Sequence, residues 1–322
     1  MSESSNELTV SQVKFKKIKG LISDVVKIII KYKYLYIMLL PAVAYYVIFK
    51  YLPMYGLIIS FKRFNPGLGV FRSPWVGFKY YEQFFKSIYF GRLLRNTLMI
   101  NLYNLLFVFP APIIFALLLN ELRLSRYKKF IQTVSYLPHF ISTVIIASMV
   151  FTFLNREYGL VNNIIYMLGG ERIAFLNYSK YFWGIYTGMD LWKSTGWGSI
   201  IYLAAITSIN PELYESAIVD GANRWRQIWH ITLPGISSVI IIMLILRVGR
   251  LLSVGYKSII LLYNPLIYET ADVINTFVYR RGLLNYEFSF ATAVGLFQSV
   301  VGFILVVFSN KIARTFSETS LW

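Results

Sequence analysis

Charged residues vanish from this chain in long blocks. None occurs within residues 96–120, 130–155, 194–211 or 288–310. A bilayer's hydrocarbon core is about 30 Å thick and takes roughly 20 helical residues to cross, and these blocks have that length or nearly so. Two more apolar stretches are interrupted, residues 34–61 by Lys50 and residues 235–254 by Arg247 and Arg250. The block at 194–211 extends upstream through Lys193 and Asp190 to about Phe182. The pattern predicts six membrane-spanning helices. Apolar residues are continuous rather than alternating, which argues for helices and against a transmembrane barrel. The fold class is therefore an all-α integral membrane protein.

Prolines punctuate the spans. Pro41 and Pro53 fall in the first; Pro110 and Pro112 in the second remove backbone donors and should kink it. The third carries Pro138 and His139 near its inner end, and His139 reads as a hydrogen-bonded packing residue. Residues 62–95 form a loop with turn residues Asn65, Pro66 and Gly67. Its aromatics Trp75, Phe78, Tyr80, Tyr81, Phe84 and Phe85 suit a membrane interface. Residues 155–181 hold a short apolar helix at 160–168, closed by Gly169-Gly170.

Composition agrees with a membrane protein. The chain is 57% apolar, 18% aromatic and only 15% charged, against about a quarter charged in soluble domains. The net charge of +17 is better placed against lipid headgroups than against nucleic acid. Residues 1–33 carry seven lysines (Lys14, Lys16, Lys17, Lys19, Lys27, Lys31, Lys33) against Glu3, Glu7 and Asp24. That cluster favours a cytosolic N-terminus, and six spans return the C-terminus to the same side. The division expected is a basic cytosolic tail at 1–33, a membrane domain at 34–316 and a cytosolic tail at 317–322. The first apolar run starts after 33 residues with no small-residue cleavage pattern, so it should remain as an anchor. With no cysteine and two histidines, the chain offers no thiolate chemistry and argues against a metal centre.

The segment at 210–234 stands apart because it is polar and helix-like between two apolar spans. Asn210, Pro211 and Glu212 make a helix start: a capping side chain, a proline at the first position and an acid at the positive dipole end. The helix should stop near Gly221, which takes left-handed backbone cheaply. Asn223 can cap a second helix running to about Leu233, before Pro234. Trp225, Ile228 and Trp229 would offer apolar anchors to a partner groove and Glu215 a charge. On composition alone an interfacial hairpin lying on the membrane fits equally well.

The spacing goes further. Glu215, Ser216 and Ala217 precede Asp220, Gly221 and Ala222; nine residues, 222–230, then lead to Ile231, Leu233 and Pro234. This resembles the EAA loop of binding-protein-dependent ABC importer permeases, with Ser216 where that family usually has alanine. The resemblance implies a type I permease fold in a bacterial cell membrane. It implies a second permease subunit, two ABC ATPase subunits that bind ATP and Mg, and an extracellular solute-binding lipoprotein. Glu215, Ser216, Ala217, Asp220, Gly221, Ala222, Ile231, Leu233 and Pro234 would couple to the ATPase, and changes at Glu215 or Gly221 should uncouple it. No G-x-x-x-x-G-K-[ST] loop occurs, so nucleotide belongs to another chain. This chain would bind no cofactor, have no catalytic residue and hold no metal.

Ionisable residues within spans usually face a cavity or a partner. Asp190 and Lys193 are three apart and can pair on one helix face. Arg247 and Arg250 share that spacing with like charge, so they need anions from elsewhere. Trp192, Trp197 and Gln298, with Asn101 and Asn104, could stack on and hydrogen-bond sugar rings. The stretches LLPAVAYYVIFKYLPMYGLIISFKRF (39–64), SYLPHFIS (135–142), DLWKSTGWGSIIYLAAI (190–206) and SLW (320–322) are similar to the LplB-type carbohydrate permeases. That branch implies complex oligosaccharides, including aldouronates and pectin or rhamnogalacturonan fragments. The residues leave open a permease of this architecture for another solute, or an integral membrane enzyme, although clustered His, Asp or Cys are missing.

Overall fold

The computed structural model describes Lys27 and residues 30–316. The tails expected at 1–33 and 317–322, and the terminal Ser320-Leu321-Trp322, lie outside the described residues except for Lys27 and residues 30–33. The chain divides into two compact units, residues 1–58 and 59–322. The first consists, among its described residues, of Lys27, residues 30–32 and most of helix α1 (Lys33–Phe61).

In the second unit, α2 (Phe90–Glu121) and α9 (Phe288–Phe316) are each long and apolar enough to cross a membrane, as is α1. Two bent pairs can supply two more spans: α3 (Ser125–Phe140) with α4 (Thr143–Phe153), and α7 (Arg224–Gly235) with α8 (Ser237–Val248). Helix α5 (Phe182–Thr207) is about 39 Å long at 1.5 Å per residue, which exceeds the hydrocarbon core. Its polar residues, not its length, keep it from passing as an apolar span. Between α5 and α7 lies α6 (Pro211–Val219). Among the described residues the only β pairing is an isolated bridge between Lys62 and Trp75.

The third span differs from expectation. It is not one helix: α3 and α4 meet at 99°, with Ile141 and Ser142 extended between them. Pro138 sits in the last turn of α3, and Ser142 Oγ accepts the Val144 N–H at 3.2 Å to start α4 afresh. An unbroken apolar composition conceals such a break.

Prolines elsewhere have a consistent local effect. A π turn at Val47–Tyr51 precedes Pro53, one at Asn104–Val108 precedes Pro110, and one at Ile228–Thr232 precedes Pro234. A proline ring collides with the carbonyl four residues back. The wider turn, where Phe109 N–H reaches the Asn104 carbonyl at 2.9 Å, accommodates it without ending the helix. In α2 this wide turn precedes Pro110 within a helix that runs from Phe90 to Glu121.

Helix α5 is the spine, packing along α2 and α3. Gly196 makes this approach possible, because a Cβ there would strike the Ser135 carbonyl of α3. Near the end of α5 that leads to α6, Ile113, Ala116 and Leu119 of α2 bury against Tyr202, Leu203 and Ile206, joined by Ile236. At the opposite end a cap of short helices, including Tyr256–Leu262, Tyr268–Ala271 and Ile274–Tyr279, completes two clusters. One joins Ile259, Leu262 and Val273 to Ile100, Ile146 and Phe182; the other joins Phe277 and Ile274 to Phe84, Leu93 and Phe290.

Candidate functional site

The segment at 210–234 folds as its local chemistry dictates. Asn210 Oδ1 accepts the Glu212 N–H at 3.1 Å, with Pro211 in the first turn. At the far end of α6, Gly221 takes φ +75°. Its N–H reaches the Ile218 carbonyl at 3.0 Å, and the Ala222 N–H reaches the Ala217 carbonyl at 2.8 Å. This paired closure is a Schellman motif. Asn223 Oδ1 then accepts the Arg226 N–H at 2.9 Å to start α7.

Two buried side chains hold the hairpin's inner side. Gln227 Nε2 donates to the Ala222 carbonyl at 2.9 Å, and the Tyr214 hydroxyl meets Thr232 Oγ1 at 3.0 Å. Of the residues expected to couple, Glu215, Ser216, Asp220, Gly221 and Pro234 are exposed; Ala217, Ala222, Ile231 and Leu233 are half-buried. The exposed apolar side chains of α6 are Leu213, Ile218 and Val219, the last 87% exposed. Trp225, Ile228 and Trp229 instead line a groove against α2.

A second feature lies between the spans. An open cavity of about 750 Å³ is lined by Val108 and Pro112 of α2, Ser194, Trp197 and Tyr202 of α5, and Arg247, with Arg250 just beyond the end of α8. The indole of Trp197 stacks on His139 of α3, centroids 4.6 Å apart and nearly parallel at 4°. Both arginines expected on the pathway and Trp197 thus converge on one space.

The other residues considered for the pathway are placed differently. Lys193 Nζ donates to Thr143 Oγ1 of α4 at 2.8 Å instead of pairing with Asp190. Trp192 lines a separate apolar pocket with Ile146, Met149 and Phe153. Gln298 Nε2 donates to the Leu252 carbonyl at 2.5 Å and to Asn275 Oδ1 at 3.2 Å. Asn101 Nδ2 donates to the Leu251 carbonyl at 2.8 Å. Gln298 and Asn101 therefore hold the turn after α8, and their amide donors are spent on protein.

Residues 109–317, which include the hairpin and the cavity's arginines, match the family of binding-protein-dependent transport system inner membrane components. The chain belongs to this family. The permease is 48% identical over 290 residues to Protein LplB of Bacillus subtilis (strain 168), covering 90% of this chain and 91% of LplB. It is 46% identical over 294 residues to the polygalacturonan/rhamnogalacturonan transport system permease protein YteP of the same organism, covering 91% of this chain and 92% of YteP. It also aligns, with a TM-score of 0.84 and 45% identity, with a chain in the crystal structure of a bacterial alginate ABC transporter in complex with alginate pentasaccharide-bound periplasmic protein. That alignment covers 92% of this chain and 99% of the other. The resemblance read from the hairpin and the longer stretches is borne out. This is an all-α membrane permease, a transport component and not an enzyme.

One constellation in the permease escaped the sequence reading. Asp272, fully buried in the cap, receives two hydrogen bonds from Arg280, at 2.8 and 2.7 Å, and one from Thr276 Oγ1 at 2.8 Å. Arg92 of α2 approaches at 3.4 Å, and Asn96 Nδ2 donates to the Asp272 carbonyl at 2.9 Å. Burial works against the Arg280 charge, yet hydrogen bonds to Asp272 and Tyr263 hold its guanidinium above the ordinary value. The network ties cap to α2 across 180 residues of sequence. Its sequence signal was Asp272, eight residues before the Arg280-Arg281 pair.

Proposed function

We propose that this permease forms the membrane pathway of an ATP-driven importer of acidic complex oligosaccharides, together with a second permease subunit. The observation that carries the reading is the convergence of Arg247, Arg250 and Trp197 on one cavity. Guanidinium groups bind carboxylates through paired hydrogen bonds, and an indole face suits a sugar ring. The relatives point the same way, since YteP is named for polygalacturonan and rhamnogalacturonan and alginate is an acidic polysaccharide. Pectin-type and aldouronate-type oligosaccharides are the solute classes that fit.

The hairpin at 210–234 is the coupling element. Two ATPase subunits bind ATP and Mg, and this chain binds neither. Glu215, Ser216, Asp220 and Gly221, with Leu213, Ile218 and Val219, present the docking tip. Ala217, Ala222, Ile231, Leu233 and Pro234 connect it to the spans. Closure of the ATPases moves the hairpin as a lever and exchanges two arrangements of the helices. An extracellular solute-binding lipoprotein delivers the oligosaccharide at the opposite face. Both termini lie in the cytosol of a bacterial cell.

Uptake of charged and neutral oligosaccharides of equal length tests the solute assignment. Arg247→Ala should lower uptake of the acidic series at least tenfold and of the neutral series less than threefold. Equal loss for both would make Arg247 structural and remove the assignment. Coupling is tested by co-purifying the chain with its ATPase, which Gly221→Pro should release.

A further inference from the structure

A second open groove, of about 560 Å³, runs between the later half of α2 and the return helix α7. Ile114, Leu117 and Leu118 form one wall, and Trp225 and Trp229 the other. Leu118, Trp225 and Trp229 are 61%, 70% and 64% exposed, so the described residues line this groove without filling it. At its end Glu121 and Arg224 stand 4.0 Å apart. Arg123 and Arg226, both exposed, lie two residues from them in the sequence. The two chain segments that meet at this end, 121–124 and 224–226, carry three arginines against one carboxylate.

Depth in the bilayer follows from α2. The helix crosses the membrane, so the wall at Ile114 belongs to the hydrocarbon, and Glu121, about 10 Å further along, belongs to the headgroups. Tryptophans beside arginines at a helix end suit that boundary, and basic pockets between helices favour anionic headgroups.

We propose that one anionic phospholipid seats here, an acyl chain between Leu118 and the two tryptophans and its phosphate on Arg224 at the basic end. The assignment to the cytosolic leaflet rests on the orientation proposed above; the site itself does not. The lipid wedges the return helix of the hairpin against α2. The apolar side chains that would meet a docked ATPase, Leu213, Ile218 and Val219, stand on α6, off this groove.

Native mass spectrometry of the delipidated importer, titrated with phosphatidylglycerol or phosphatidylcholine, tests the site. Wild type should hold one phosphatidylglycerol at least tenfold more tightly than phosphatidylcholine. Leu118→Trp fills the groove from an exposed position and should weaken that binding at least tenfold. Arg224→Gln should reduce the preference between the two lipids below threefold. Both variants should keep the ATPase, whereas Gly221→Pro should lose the ATPase and keep the lipid. Undiminished phosphatidylglycerol in Leu118→Trp, or equal retention of the two lipids by wild type, overturns the proposal. So does loss of the ATPase from Trp229→Ala with lipid unchanged, which would make the groove a protein-docking face. If no ATPase accompanies wild type, the coupling reading fails by itself, and the same titration on the full chain alone still decides the lipid site.

Discussion

Single side chains decide two of the tightest arrangements in the permease. At Gly196 the fourth span meets the Ser135 carbonyl with no room for a methyl group. Gly196→Val must push α3 and α5 apart, at a cost of about 3 kcal/mol given what overpacking a tight core entails. Thermal unfolding in detergent should show a clearly lowered midpoint; an unchanged midpoint would mean the helices separate freely there. Asp272 acts in the opposite sense, by filling a need. Replacing it with asparagine leaves Arg280 and Arg92 facing one another without a carboxylate. Breaking a fully buried pair costs about 3–5 kcal/mol; the arginines keep some water contact, so Asp272→Asn should cost about 2 kcal/mol. The same melting assay reads it, and restoration of stability when Arg92→Gln is added to Asp272→Asn would confirm repulsion as the cause.

The hairpin illustrates how far an element is set by its own sequence. Its two caps, its Schellman turn and its proline all act within a few residues. Asn223→Ala removes the acceptor that starts α7 and should destabilise that end by about 1 kcal/mol. Hydrogen exchange should quicken at Arg224–Gln227 while Phe182–Thr207 stays protected; uniform quickening would show that the hairpin does not open on its own. Helix α4 is the contrary case. Nothing in an uncharged run from 130 to 155 announces a 99° corner. Pro138 and Ser142 are both there to be read, but a proline alone is compatible with a continuous span, as Pro110 in α2 demonstrates.

Across the whole molecule, orientation is the property most exposed to test. The chain has no cysteine, so single-cysteine variants label without background. On the proposed topology, a membrane-impermeant maleimide should reach Met167→Cys in intact cells and Ser216→Cys only after the membrane is opened. The reverse result would put the hairpin outside, where no ATPase could meet it. The coarse division into apolar spans and charged loops was legible because the bilayer filters composition directly. The Arg247–Trp197 cavity was half legible: each residue invited attention, but Trp192, Gln298 and Asn101 invited it equally and are used elsewhere.

What the sequence determined by itself is whatever a short stretch settles with solvent or lipid alone: helix over strand, spans over loops, and the capped hairpin with its left-handed glycine. What only the tertiary structure decided is which distant residues share a space. Arg247 joins Trp197 across some fifty positions, Asp272 joins Arg92 across 180, and Trp225 faces Leu118. Such meetings depend on the angles at which helices cross, and those angles are set by side-chain volumes and backbone breaks on both partners at once. No local pattern contains that sum.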